Sequence, residues 1–379
     1  MAFKSKLPNV GTTIFTVMSQ MAAEHNALNL SQGFPDFRIS PKLIELVNRH
    51  MKQGYNQYAP MPGLPALREQ IAEMIDNCYQ SKVDPYKDIT ITAGATEAIY
   101  ATITALIGNG DEVILFDPAY DCYAPAIRLN GGIPIHISLK QPDFSIDWEA
   151  VKTKISAETK LIIINSPHNP SGAVLSENDF KTLEEIAVKH DLLILSDEVY
   201  EHIIFGQQHQ SILKYDALRK RSIAVSSFGK TFHATGWKIG YLIAPEEITN
   251  EIRKVHQYLV FSVNTPMQYA LADYLKEPDH YLHIAEMYNN KRKFFVERLA
   301  ASKFEIIPSF GTYFQLLSYK NISDLDDMSM ATKLTKENKL ASIPISVFYQ
   351  NKEDNKLLRF CFAKNEETLE RAAEILCKI

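Results

Sequence analysis

Between about residue 64 and residue 245, short apolar runs alternate with helical patterns, and this alternation constrains the fold more than any other feature of the chain. The runs Val113 to Phe116, Leu161 to Ile164, Leu192 to Leu195, Ile223 to Val225 and Tyr241 to Ala244 are short, β-branched or leucine-rich, and closed by polar residues or proline. A strand that is apolar on both faces has to be covered on both faces, as in a parallel sheet flanked by helices. Between the runs, Leu67, Ile71, Ile75 and Cys78 recur at roughly one turn and so share one helix face. Ser176 stands three residues before Asp179 in a capping-box arrangement, which opens a helix through Phe180, Leu183 and Ala187. The pattern predicts an α/β fold with a largely parallel central sheet.

A chain of 379 residues exceeds one ordinary core, since about 150 residues per domain is usual, and two domains are expected. After about residue 275 the texture changes to a long charged helix, roughly His280 to Ala300, then alternating short strands and a final helix from Asn365. This divides the chain into a large domain over 44–275 and a smaller α+β domain over 276–379; pattern alone leaves open where the first forty residues belong. At 46% hydrophobic and 22% charged residues the composition is globular, which excludes a disordered majority.

The net charge of -5, with scattered Lys and Arg, offers no basic stripe for a nucleic-acid backbone. No apolar run approaches the roughly 20 residues of a membrane helix, and the start MAFKSKLPNVGTTIFTVM lacks the apolar block of a secretion signal. A soluble, cytoplasmic protein is expected, with no nucleic-acid or membrane partner. Cys78, Cys122, Cys361 and Cys377 are widely spaced without a CxxC, so buried reduced thiols are expected and no metal site.

In open α/β sheets ligands gather outside the carboxyl ends of the strands, so the residues that close the apolar runs are where chemistry is sought. Those closures are Asn165-Ser-Pro-His-Asn169-Pro-Ser-Gly172, Ser196-Asp197-Glu198-Val-Tyr200 and Ser226-Ser227-Phe-Gly-Lys230-Thr231; a fourth, Thr92-Ala-Gly94-Ala95-Thr96, ends a strand and opens a helix. Taken singly, each has a plain structural reading: a turn, a helix cap or a solvated lysine. Their convergence on one sheet edge is the signal. Gly229-Lys230-Thr231 imitates the end of a P-loop, but that motif needs glycine where this chain has Ala224.

Pyridoxal phosphate needs an amine for its aldehyde, an anion for its ring nitrogen, and a helix N-terminus with cations for its phosphate. Lys230 is the candidate for the Schiff base, Asp197 for the ring nitrogen, and Gly94, Ala95 and Thr96 for the phosphate, together with Ser227 and Lys238. Asn169 and Tyr200 are placed to donate to the ring's phenolic oxygen, and Tyr120 to lie on the ring face. Lys230, Tyr200 and Asp197 form the expected catalytic set, with Lys230 freed by the incoming amino acid to act as base.

These residues carry a resemblance that runs essentially end to end. The segments LNLSQGFPDF (28–37), YNQYAPMPGLPALRE (55–69), TAGATEAI (92–99), DPAYDCY (117–123), NSPHNPSG (165–172), SDEVYE (196–201), SSFGKTFHATGWKIGY (226–241) and LLRFCFAK (357–364) resemble class I, fold type I aminotransferases of the kynurenine/methionine branch, bacterial methionine aminotransferases most of all. The resemblance implies the type I fold of pyridoxal-phosphate transferases, with segment 1–43 joining the small domain. It implies that Arg359 binds the substrate α-carboxylate with its planar fork, helped by the backbone N–H of Gly33. Tyr58 resembles the tyrosine that reaches the phosphate of a neighbouring subunit, which implies a homodimer with shared sites.

The side-chain pocket is expected to be lined by Phe15, Tyr58, Phe261 and Phe348, next to Asn169. Phe15 stands where kynurenine enzymes carry tryptophan, and Ser262 where they carry histidine. No second arginine neighbours these pocket residues in the sequence to pair with a side-chain carboxylate, which argues against aspartate. The implied reaction is transamination between an apolar or aromatic amino acid, methionine favoured, and a 2-oxo acid. Kynurenine or glutamine transamination, a C–S β-lyase on the same fold and, from another class, a non-catalytic ligand-binding module are the alternatives. His168, His233 and Cys122 are read as packing or hydrogen-bonding residues.

Overall fold

The computed structural model describes residues 4–379, so the first three residues of the expected N-terminal segment lie outside the described residues. Seven strands form the central sheet in the order Ile89–Thr92, Gly240–Ile243, Ser222–Ser227, Leu193–Asp197, Thr159–Asn165, Glu112–Asp117 and Ile133–Ser138. All five apolar runs are therefore strands. Their alternate residues enter two separate cores: Ile114, Phe116, Ile162, Ile164 and Ile194 pack into one, and Val113, Leu115, Leu161, Ile163 and Leu195 into the other. That period of two explains why the runs read as continuous apolar stretches. Fully burying each such side chain contributes ~1.5–3 kcal/mol.

Two details differ from the sequence pattern. The sheet is largely parallel, as expected, but Gly240–Ile243 runs antiparallel to both of its neighbours. An edge strand, Ile133–Ser138, pairs in parallel with Glu112–Asp117. Its partial exposure and its Pro134 suit an edge, and neither resembles the buried runs by which the other strands stand out.

The helix Pro65–Tyr79 buries Leu67, Ile71 and Ile75, with Cys78 half-buried. The helix Glu177–His190 starts with both halves of the capping box, Ser176 Oγ accepting from the Asp179 N–H and Asp179 Oδ2 from the Ser176 N–H. The expected long helix from His280 is instead two, Asp279–Leu282 and Ile284–Arg298, broken at His283. In the first piece Tyr281 is buried and His280 stacks on Tyr274 at 3.7 Å, contacts that fix its direction apart from the second.

At the C-terminal end a four-stranded antiparallel sheet has the order Ile343–Pro344, Leu357–Cys361, Phe314–Ser318, Glu305–Ile306. The N-terminal segment is tied to it: Leu28–Asn29 pairs in parallel with Leu340–Ala341, and Cys361 N–H donates to Leu30 C=O at 2.8 Å. The expected division between 43 and 44 falls inside the helix Pro41–Lys52, whereas 275 is the last residue of the helix Thr265–Leu275. All four cysteines are free; only Cys361, at the end of the strand Leu357–Cys361, is buried, and the other three are half-buried. Among the described residues no helix is long and apolar enough to cross a membrane, and no group of three or more His, Cys, Asp or Glu side chains is arranged to hold a metal ion.

Candidate active site

The sheet register lines up the closures of the apolar runs. Asn165 pairs with Asp197 and Asp197 with Val225, so two parallel strands end level and the third, Ser222–Ser227, runs two residues beyond them. The antiparallel strand begins where they end, with Gly240 opposite both Ser227 and Thr92. Lys238, two residues earlier, is thereby delivered to the same edge as Gly94. A Cβ on Gly240 would lie 2.9 Å from Ala95 N, so only glycine lets this strand approach the helix start so closely.

A cavity of about 180 Å³ opens at this edge, and its walls include Gly94, Ala95, Thr96, Tyr120, Asn169, Asp197, Tyr200, Ser227, Lys230 and Lys238. The helix Ala95–Leu106 points its N-terminus into it, and its N-cap Gly94 has no side chain to satisfy the first-turn N–H groups. Gly94 has φ of +80°, and a Cβ there would lie 3.1 Å from Lys238 Nζ, so the ammonium is held directly over the helix start. Lys238 itself adopts a left-handed conformation (φ 55°). Ser227 Oγ accepts from Gly229 N–H at 3.3 Å and caps the short helix Phe228–Thr231 that carries Lys230.

Asp197 is buried at the end of its strand; its Oδ2 accepts from the Tyr123 hydroxyl at 2.5 Å and its Oδ1 from Val199 N–H at 3.3 Å. Burial still dominates and pushes its pKa up to about 6. Asn165 Nδ2 donates to the Asp197 carbonyl at 2.9 Å, and Asn165 Oδ1 accepts from Asn169 N–H at 2.8 Å. Lys230 Nζ donates to Tyr313 Oη at 2.8 Å and lies 5.5 Å from the centre of the Tyr200 ring. Burial pushes the Lys230 amine down to about 8, so about a tenth of it is the unprotonated nucleophile at pH 7, far more than for a lysine at its ordinary value. Tyr120 and Tyr200 are both held above the usual phenol value by burial, which keeps them as hydroxyl donors.

Beside this cavity, against its wall residue Asn169, Arg359 on the strand Leu357–Cys361 forms the other end of the site. Its Nη1 donates to Asn169 Oδ1 at 2.8 Å and its Nη2 to Ser31 C=O at 3.1 Å, while its Nε is buried with no partner. The guanidinium carbon lies 3.9 Å from the Phe314 ring centre, 5.2 Å from Phe15 and 5.9 Å from Phe348. Gly33 is close, but what it turns toward the site is its carbonyl, which accepts from Tyr313 Oη at 2.5 Å.

Tyr58 and Phe261 are not brought to this cavity within one chain. Tyr58 is 82% exposed and Phe261 49% exposed, and the two rings meet edge to face at 5.3 Å on the surface. The single expected side-chain pocket is thus two groups, Phe15 with Phe348 at Arg359, and Tyr58 with Phe261 outside. His168 bonds Ser171 and the Pro118 carbonyl, and His233 bonds Tyr288, with burial pushing both imidazoles down to about 4.

Sequence reasoning missed Asn165, Tyr123 and Tyr313. Asn165 closes a strand, and Tyr123 opens a helix three residues after Tyr120, so both carried a local signal. Tyr313 carried none, since it enters from a loop distant in sequence.

The model of the family "Aminotransferase class I and II" matches residues 25–376. Methionine aminotransferase of Escherichia coli is 54% identical over 375 residues, spanning 98% of this chain and 97% of that protein. Probable N-succinyldiaminopimelate aminotransferase of Mycobacterium tuberculosis is 36% identical, spanning 97% and 96%. Among solved structures, YbdL from Escherichia coli, whose structure and reactivity identified a methionine aminotransferase function, superposes with a TM-score of 0.98 at 53% identity over 100% of both chains. Aspartate aminotransferase of Thermus thermophilus, as a single mutant, superposes with a TM-score of 0.91 at 27% identity, over 100% of this chain and 99% of that one.

Proposed function

Because this chain belongs to the class I and II aminotransferases, we propose that it is a pyridoxal-phosphate-dependent methionine aminotransferase, working as a cytoplasmic homodimer. It has the type I aminotransferase fold and is a transferase of amino groups between an amino acid and a 2-oxo acid. The four free thiols are the state a reducing compartment maintains.

The single observation that carries the cofactor reading is the charge layout of the cavity. An uncapped helix start lies under an ammonium, and a buried carboxylate without an ion pair and an amine at about 8 lie on the walls of the same cavity. An anionic phosphate, a basic ring nitrogen and an aldehyde suit those three features in turn. Gly94, Ala95, Thr96, Ser227 and Lys238 would hold the phosphate, Asp197 the ring nitrogen, Asn169 and Tyr200 the phenolic oxygen, Tyr120 the ring face and Lys230 the aldehyde. Bound there, pyridoxal phosphate supplies an electron sink for the pair left when the substrate's Cα–H bond breaks.

Arg359 would orient the α-carboxylate by its fork, with Gly33 and Asn169 beside it. Phe15 and Phe348 give the substrate an apolar wall, the surrounding that a thioether side chain prefers. The Lys230 Nζ takes the proton from Cα, within a cavity where burial keeps Tyr120 and Tyr200 as neutral hydroxyls. Tyr58, exposed beside Phe261, would complete the site of a second copy of the chain.

Two measurements test this. The purified protein should absorb in the visible, with the band shifting in Lys230→Ala. Against a fixed 2-oxo acid, methionine should rank among the donors with the highest kcat/KM; aspartate as the best donor would overturn the specificity. Release of pyruvate and ammonia from cystathionine without an oxo-acid acceptor would favour a β-lyase instead.

A further inference from the structure

Tyr313 makes contacts that a packing residue does not require. Its hydroxyl donates to the Gly33 carbonyl at 2.5 Å, so toward Lys230 Nζ at 2.8 Å its oxygen acts as an acceptor. Lys230 Nζ also reaches the Gly33 carbonyl at 3.5 Å, which closes a triangle of amine, phenol and peptide oxygen. Tyr313 is fully buried, and its ring is gripped edge-on by Tyr200 at 5.1 Å and Phe314 at 4.9 Å. The preceding Thr312 has a left-handed backbone (φ 66°), held by its N–H to Ile203 C=O at 2.8 Å. A phenylalanine would fill the same volume, so the hydroxyl serves the amine and not the core.

We propose that Tyr313 is a positioning residue that receives the free amine of Lys230 while that lysine acts as the base, with the Gly33 carbonyl fixing the phenol as acceptor. The inference rests on the role proposed above for Lys230. When Nζ takes a proton from the substrate's α-carbon it becomes an ammonium, and one of its N–H bonds points at Tyr313 Oη. No proton passes to the phenol, whose own hydrogen stays directed at the Gly33 carbonyl; Nζ keeps the proton taken from Cα until it hands it on to the carbon of the bound cofactor, and is then a neutral amine again.

The groups that act on Nζ include Cys361 and Asp197, which favour its charge, and Arg359 and Lys238, which oppose it. Against those two cations, the neutral Tyr313–Gly33 pair is what steadies the ammonium at a fixed place. Because Gly33 lies in the N-terminal segment that also carries Phe15, the position of the base is set from the substrate end of the cavity.

Tyr313→Phe, assayed as the loaded enzyme with methionine, should lose about tenfold in kcat, the effect of one hydrogen bond made at the reacting step, with KM changed less than about twofold. The kinetic isotope effect with α-deuterated methionine should rise, and 3-fluorotyrosine at position 313 should restore the rate, which a purely structural role would not require. In the wild-type protein freed of cofactor, the Tyr313 ring carbon bearing oxygen should shift in NMR at the pH where Lys230 Nζ titrates. A folded Tyr313→Phe with unchanged kcat and isotope effect overturns the proposal, as does a Tyr313 signal that stays flat through the Lys230 titration. If the variant does not fold, the wild-type titration decides alone. Wild-type protein unable to transaminate any donor would sink the proposed function, and the titration would still report on the contact.

Discussion

The two ends of the cavity are built in different ways. Every cofactor-end residue, from Gly94 to Lys238, is placed by one sheet, whose hydrogen-bonded register fixes Asn165 beside Asp197 and Gly240 beside Thr92 and Ser227. The substrate end gathers Phe15, Gly33, Phe348 and Arg359 from segments hundreds of residues apart, held by a two-residue ladder and the small antiparallel sheet. A charge array inherited from a continuous sheet is hard to disturb piecemeal, whereas an end assembled from docked segments is free to vary with the side chain it receives. Chemistry is therefore expected to fail when the first end is altered, and selectivity when the second is.

The sharpest break in that contrast comes from Lys230→Ala. Removing the proton-transferring amine should lower kcat by about 10⁴-fold, the upper range for a positioned acid or base, while the donor ranking among residual activities stays as it was. Steady-state rates across a donor panel check this; a changed ranking would mean that the two ends are not separable.

Arg359→Lys probes the other side. The variant loses the fork that spans Asn169 and Ser31 and the face that lies on Phe314. Truncating a buried, hydrogen-bonded charge costs ~2–5 kcal/mol, so kcat/KM for methionine should fall by about 10²–10³-fold. The visible absorption band should persist. Loss of the band together with the activity would show that Arg359 supports the cofactor end as well.

The same contrast explains what could be read before the fold was seen. Asp197, Asn169, Lys230 and Gly94 each close a buried apolar run or open a helix, so the periodicity that predicts the strands also points to them. Phe15, Gly33, Phe348 and Arg359 sit in no such pattern, and only resemblance placed them. Tyr313 was invisible to both, because its importance comes from a contact between its hydroxyl and a peptide 280 positions away in the chain. Resemblance groups Tyr58 and Phe261 with Phe15, and their surface location in one chain leaves no local trace in sequence.

Gly94→Ala gives a smaller effect at the cofactor end. At φ +80° a side chain is strained, and its Cβ would press on Lys238 Nζ, a cost of ~1–3 kcal/mol. Affinity for pyridoxal phosphate should weaken by about 10- to 100-fold, measured by titrating the cofactor-free protein, with kcat at saturating cofactor nearly unchanged. A fall in kcat alone would place the glycine's role in the chemistry instead of in holding phosphate.

The smallest expected effect is on stability, and it separates the two ends by pH. Burial raises Asp197 to about 6 and lowers Lys230 to about 8. Between the unfolded carboxyl value of about 3.9 and 6, the cofactor-free folded chain keeps a proton that the unfolded chain has released, so stability falls as pH rises. Between 8 and the unfolded lysine value of about 10.4, the folded chain has released a proton that the unfolded chain keeps, so stability rises with pH. Thermal melts of cofactor-free protein should show the first slope vanish in Asp197→Asn and the second in Lys230→Ala. Arg359→Lys should leave the first slope in place, because Arg359 is not among the groups that dominate the Asp197 shift. Cofactor binding should flatten the first slope, since a cation beside Asp197 returns its carboxyl toward its ordinary value. Slopes that survive both substitutions would mean that the strain of burying these charges is carried by other groups, and that the cofactor end is not the isolated charge array its sheet register suggests.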